Sequence, residues 1–257
     1  MTWTSISRTA LLTVTFAGAL LSIPQTALAS ETSSASASDA SAKLDKKQFR
    51  DVKVSVEQGI ATLTGSVDLY QYKMDAEKRV SKAGGVTSVH NLINVGGPVI
   101  SDQQLQDKLQ DKLAYDRVFY GNAFNAISLG VQNGAVTLGG HAVSYVARNS
   151  ALDLVRYYPG VKDVTDEIQV DPLSSFDDRT RFQVYRAIYG YPMFTKYAMN
   201  PAKPIRISVQ NGNVSLYGSV DSQADKDVAA LRANSVSGVF SVKNFLNVET
   251  QEVKKKN

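Results

Sequence analysis

The sequence predicts an α/β protein of the α+β kind, built from three small repeats. Each repeat reads helix, strand, strand, helix, strand, around a three-stranded mixed sheet. Glycine spacing, period-two alternation and one apolar stripe carry that reading. Gly59, Gly134 and Gly212 are each followed six residues later by Gly65, Gly140 and Gly218, and twenty residues further on by Gly85, Gly160 and Gly238. Val95, Val170 and Val248 stand ten residues beyond those. Spacing held in every copy without a gap marks homologous units rather than coincidence. The repeated glycines are read as structural, at turns and strand ends that demand backbone freedom, in preference to a phosphate cradle.

Each element follows from the residues. Val52, Val54 and Val56 alternate with polar neighbours, as do Ile127, Leu129 and Val131, and Ile205, Ile207 and Val209. That is the pattern of a half-buried strand. Gln58-Gly59, Asn133-Gly134 and Asn211-Gly212 come next, and Asn-Gly is the strongest two-residue hairpin turn because both positions take positive φ. A second strand places Ala61 and Leu63, Val136 and Leu138, or Val214 and Leu216 on its inner face. Between the second and third glycines a helix is predicted, with Ala76, Ala151 and Ala229 at one equivalent position and Val80, Val155 and Ala233 four residues on. The small alanine is expected where helix and sheet come closest. A third strand runs through Ile93, Ile168 and Leu246, parallel to the second, because a strand, helix, strand passage returns the chain in the same direction.

A leading helix is predicted in the second repeat, where Ser101 and Gln104 look like a capping box and Leu105, Leu109 and Leu113 share a face. The third repeat repeats it from about Asp177 to Tyr189. In the first repeat only Asp39 to Arg50 is available, so its leading helix is short or missing. The repeats are bounded at 43–97, 98–172 and 173–250, with a basic tail over 251–257.

Residues 1–29 read as a secretory signal peptide. Arg8 precedes a largely apolar run from Ala10 to Ile23, Pro24 closes it, and Ala27-Leu28-Ala29 supplies small residues for cleavage after Ala29. Residues 30–42, rich in Ser, Ala and Thr, are expected to be a disordered leader. The sequence holds no cysteine. A lipoprotein signal, which needs one, is therefore not expected, and the small modules must be held by packing and by one another.

Catalytic chemistry is not legible. No nucleotide, hydrolase or calcium-loop motif occurs. His90 and His141 fall at non-equivalent repeat positions, without cysteine to assist them as ligands. Asp163, Asp166 and Glu167 lie along one strand and read as a solvated edge. No catalytic residue, metal, cofactor or small-molecule substrate is assigned. The net charge of +4 is too dilute for a nucleic-acid stripe. Charge is uneven, however: residues 98–172 hold six Lys and Arg against nine Asp and Glu, while the chain from 173 on holds twelve against seven. Within that basic repeat Arg179, Arg181, Arg186 and Lys196 interleave with Tyr189, Tyr191 and Phe194, the mixture a lipid headgroup surface attracts. Phe182, Tyr185 and Ile188 are expected to face inward, with Phe194 and Tyr197 at the tip of a loop from Tyr191 to Pro204. A core role for these aromatics, with the arginines a solvated face, remains the open alternative.

The Asn-Gly turn, the Val-Thr-Leu-x-Gly strand seen at Val136 to Gly140, the Gly-Val pair and the closing valine together resemble the BON-domain (bacterial OsmY and nodulation) family, over roughly Lys43 to Glu249. Two departures are Gln58 in place of Asn and the long segment before Ile205. The resemblance implies a non-enzymatic periplasmic protein, proposed to contact anionic phospholipid and to support envelope integrity or stress tolerance. Its alternative is an interaction scaffold for envelope proteins, in which an exposed sheet edge pairs with a partner strand.

Overall fold

The computed structural model describes residues 36–116, 121–200 and 203–249. The expected signal peptide and its cleavage site, the first part of the leader and the basic tail lie outside the described residues.

Three separate mixed sheets form, one per repeat. In the first, β1 (Val52–Glu57) pairs antiparallel with β2 (Ile60–Val67), and β2 pairs parallel with β3 (Ser88–Asn91) and β4 (Asn94–Val95). Helix α1, over residues 36–42, precedes them, and α2 (Tyr70–Val80) makes the crossover. The second repeat has α3 (Asp102–Ala114), a one-turn α4 (Gly121–Phe124), β5 (Ala126–Gln132), β6 (Ala135–Ala142), α5 (Tyr145–Arg156), β7 (Asp163–Asp166) and β8 (Gln169–Val170). The third has α6 (Ser175–Tyr189), a 3-10 turn over Pro192–Phe194, α7 (Thr195–Met199), β9 (Arg206–Gln210), β10 (Asn213–Val220), α8 (Gln223–Asn234) and β11 (Ser241–Val248). The second strand of each hairpin sits in the middle, so the strand orders are β1-β2-β3, β5-β6-β7 and β11-β10-β9.

One expectation is corrected here. Residues 36–42, assigned to a disordered leader, are helical, and Ala40 is buried. A composition rich in Ser and Ala reads as solvated linker, yet buried Ala40 and Ser36, with Ala37 packed beside them, seat a short helix against a neighbouring core. The Asp39 carboxylate of this helix accepts the Gly84 N–H at 2.7 Å.

The turns and strands form for backbone reasons. Gln58, Asn133 and Asn211 have φ near +50° and their following glycines φ between 73 and 81°, the paired left-handed conformations of a type I′ hairpin. A Cβ on Gly65, Gly140 or Gly218 would lie 2.0, 2.1 or 2.5 Å from the carbonyl oxygen of Asp51, Ala126 or Pro204. The hairpin can close only if that position is bare. Further along, Asn91, Asp166 and Asn244 use a side-chain oxygen to accept the N–H two residues on, at 3.1 to 3.2 Å. Asn91 and Asn244 also donate to carbonyls of the crossover helix, Lys73 and Lys226. In the second repeat the carboxylate of Asp166 meets Arg148 instead.

The helices cover one face of each sheet. Ala76, Ala151 and Ala229 are fully buried, as are Val80, Val155 and Ala233. The first two repeats share one apolar cluster that runs from Ala40 to Ile168, and α2 of the first touches α5 of the second. There the Tyr70 hydroxyl donates to Asp163, and burial, then that carboxylate, raises its pKa. The third repeat has its own core, including Val184, Ile188, Phe194, Ile207, Leu216 and Leu246. Overpacking this helix-to-sheet contact is measurable: Ala151→Leu is expected to lower the unfolding free energy by about 1 to 3 kcal/mol in a denaturant titration.

Candidate functional site

The sequence points to the third repeat, so its first helix sets the geometry. Ser174 caps α6, accepting the Asp177 N–H at 3.1 Å. The same Asp177 is buried and turns its carboxylate onto the hairpin, where it accepts the N–H groups of Asn211 at 2.9 Å and Gly212 at 2.8 Å. Asp102 of α3 does likewise for Asn133 at 2.6 Å and Gly134 at 2.9 Å. An acidic residue in the first turn of the leading helix thus holds a hairpin turn more than thirty residues away. The Ser101 hydroxyl accepts the Gln104 N–H at 3.3 Å, but the long-range tie is made by Asp102 beside it.

Burial on α6 falls on Asp177, Thr180, Arg181, Val184 and Ile188. Of the residues expected inward, Ile188 is buried while Phe182 and Tyr185 are 40% and 36% exposed. The inward stripe runs through Val184, displaced from the aromatic one. Arg181 is buried, bonded to Asp178, to Asp171 at 3.5 Å and to the Val209 carbonyl at 3.2 Å. It cannot reach a membrane. The expected loop tip is corrected as well: Phe194 is 0% and Tyr197 4% exposed. The 3-10 turn and α7 fold the segment back, so that these rings pack 6.1 Å apart in the core.

Lys196 and Tyr197 are spent on the same closure. The ammonium lies 2.7 Å from Asp221 and 2.9 Å from Asp225, and these contacts raise its pKa. The Tyr197 hydroxyl donates to Asp225 at 2.7 Å and accepts the Asp221 N–H at 2.7 Å. Tyr189 donates to the Ile205 carbonyl at 2.7 Å, and burial drives its pKa up. Besides Lys196, exposed but ion-paired, what stays on the surface is Arg179, Arg186 and the 41% exposed ring of Tyr191, over which Arg232 sits at 5.1 Å. Arg179 and Arg186 make no ion pair among the described residues. Phe182, partly exposed and packed edge-on against Phe124 at 5.1 Å, lies between them at helical spacing, and the three form a ridge along α6.

The remaining polar candidates also resolve. His90 is exposed, and His141 lies 3.4 Å from Asp171. Asp163 and Glu167 are exposed, whereas Asp166 is engaged with Arg148. Among the described residues no group of three or more His, Cys, Asp or Glu is placed to hold a metal. No helix of the described residues is long and apolar enough to cross a membrane.

These buried carboxylates have measurable weight. Asp177→Ala strips a charged acceptor from two turn N–H groups and is expected to destabilise the protein by about 2 to 4 kcal/mol in urea unfolding. Burial alone would raise the Asp225 pKa, but hydrogen bonds from Tyr197, Lys196 and Ser222 outweigh it and hold it below its ordinary value of 3.8. A depressed carboxyl stabilises the fold above its unfolded pKa, and that contribution is lost as pH falls through the folded value. Stability from this cluster should persist at neutral pH and fall away below about pH 4, and Asp225→Asn should flatten that part of the acid titration.

Comparison with known proteins places these features in a family. The sequence profile of the BON domain matches residues 33–97, 101–172 and 194–250. Osmotically-inducible protein Y of Escherichia coli (strain K12) is 28% identical over 130 residues, covering 48% of this chain and 62% of that protein. Outer membrane lipoprotein DolP of Haemophilus influenzae is 28% identical over 147 residues, covering 57% of this chain and 74% of that one. Among solved structures, the C-terminal domain of CdsD, a structural protein of the type III secretion system of Chlamydia trachomatis, covers 83% of this chain and 96% of its own at 17% identity, with a TM-score of 0.25. The triplicate hairpins, crossover helices and profile matches agree, and the chain belongs to the BON domain family.

Proposed function

We propose that the chain is a non-catalytic periplasmic protein of the cell envelope that docks on anionic phospholipid surfaces and supports envelope integrity under osmotic or other stress. The observation that carries the membrane part is the ridge Arg179, Phe182, Arg186: two cations without carboxylate partners among the described residues flank an exposed ring on one helix face. Charge draws such a face to headgroups, and the ring holds it there. Tyr185 and Tyr191 border it. Arg181, Tyr189, Phe194 and Lys196, expected at the same surface, are left out because each is engaged within the fold. The envelope part is supported by the names of the relatives, one osmotically inducible and one an outer membrane lipoprotein. The non-catalytic part is supported by where buried ionisable groups go: Asp171, Asp177, Arg181 and Asp225 are all consumed by turns, caps and ion pairs. A second reading, a scaffold for envelope proteins, is favoured by the open edge of β5.

Vesicle flotation tests the membrane reading. The protein should float with phosphatidylglycerol vesicles, less with phosphatidylcholine, and less at about 0.3 M than at about 0.05 M salt. Neutralising Arg179 and Arg186 together to Gln should cut partitioning roughly tenfold or more, at about 1 kcal/mol per basic group. Equal flotation of that variant and the native protein would remove α6 as the contact.

A further inference from the structure

The third repeat meets the second at Phe124, which enters its core beside α6, and through the back face of its sheet, the face its helices do not cover. Beyond the contact at Asp171 the two repeats diverge around a groove of about 340 Å³. One wall is β5, with Leu113 of α3 behind it; the other is the back face of β9, β10 and β11, with Arg206, Tyr217 and Phe245.

Three features of the groove are unsatisfied. β5 is the edge strand of its sheet. Its two-residue turn pairs Gln132 with Ala135, and Ser128 stands opposite Gly139. By the alternation of an antiparallel ladder, the main-chain groups of Ser128 and Gly130 face β6 while those of Ile127 and Leu129 face outward. Both of these residues line the groove. Arg206 is half-buried, has no hydrogen-bond or ion-pair partner among the described residues, and its pKa is lowered by desolvation. Its nitrogens still reach solvent, so the guanidinium presents a planar fork of donors to the groove with no anion paired to it. Beside it Tyr217 and Phe245 stack at 5.2 Å with rings 13° from parallel, and Phe245 is 52% exposed.

We propose that this groove binds an extended segment of a partner polypeptide, which adds as a strand to β5, sets a carboxylate on Arg206 and lays an aromatic side chain two residues away on the Tyr217–Phe245 pair. A free anion satisfies Arg206 alone. Only another main chain offers donors and acceptors at strand spacing to Ile127 and Leu129 in succession. Side chains two residues apart in a strand share a face, which matches a carboxylate and a ring to the same floor. The groove lies apart from α6, so it stands or falls independently of vesicle binding.

The probe is a fluorescein-labelled, C-terminally amidated peptide, Val-Thr-Phe-Thr-Glu-Thr-Val, titrated into the full chain by fluorescence anisotropy. Companion peptides carry Gln for Glu, or N-methyl groups on alternate peptide bonds. The parent is expected to bind saturably, and each companion about tenfold or more weaker. Arg206→Gln should weaken the parent to the level of the Gln peptide and leave the Gln peptide unchanged. Amide resonances of Ile127 and Leu129 should shift with the parent peptide. Should Arg206→Gln fail to fold, the three peptides on the native protein carry the same comparison. Absence of saturation up to about 1 mM, equal binding of all three peptides, or benzoate competing fully while the β5 amides stay unmoved would each overturn the proposal, the last in favour of a small-anion site.

Discussion

The seating of the third repeat on the second depends on one buried carboxylate. The Asp171 side chain is 1% exposed, which in isolation would be prohibitive for a charge. It is tolerated because donors from the next repeat converge on it: Gln210 at 2.7 Å, Ser208 at 3.3 Å and Arg181 at 3.5 Å, with His141 3.4 Å away on its own repeat. Asp171 ends the second repeat and Arg181 begins the third, so the contact is made where the chain passes between them. It fixes which face of α6 turns outward and how far β9 stands from β5. Buried pairs of this kind add little net stability against an apolar replacement, yet removing one partner leaves the other uncompensated.

The repeats are joined by two different chemistries. The first and second meet through their helices and merge their apolar cores into one. The third builds its own core around an inserted Phe124 of the second, and adds to that apolar contact the polar back face of its sheet. A module of this size buries too little surface to stand securely alone without disulfides or partners, and the helix-to-helix junction supplies what cysteine cannot. The polar sheet face adds orientation to that apolar contact, because hydrogen bonds are directional and a mis-seated repeat would strand a charge.

Local devices were legible in the sequence; distant partners were not. Asn133-Gly134, the glycine six residues on and Ala151 are recognisable because each is required by backbone or helix geometry within its own segment. Asp102 and Asp177 escaped notice because the groups they hold lie more than thirty residues away, although an acidic residue in the first helical turn of both repeats is a clue. Arg181 and Arg186 are chemically alike in a one-dimensional pattern. Only the position of Asp171 makes one a buried clamp and leaves the other on the surface. Phe194 and Tyr197 look like a loop tip for the same reason: proline-rich surroundings announce a turn but not that it folds back onto Asp225.

Each central strand is hydrogen-bonded only to strands of its own copy. No ladder among the described residues runs between copies, so a gene that gains or loses one copy breaks none. What a newly added copy lacks is a neighbour. It must find either an apolar helix layer to merge with or a polar sheet face to settle on, and those alternatives give tandem arrays different shapes from one folding unit. Copy number is thus free to drift, while the arrangement of copies in space is decided by a few side chains at each junction.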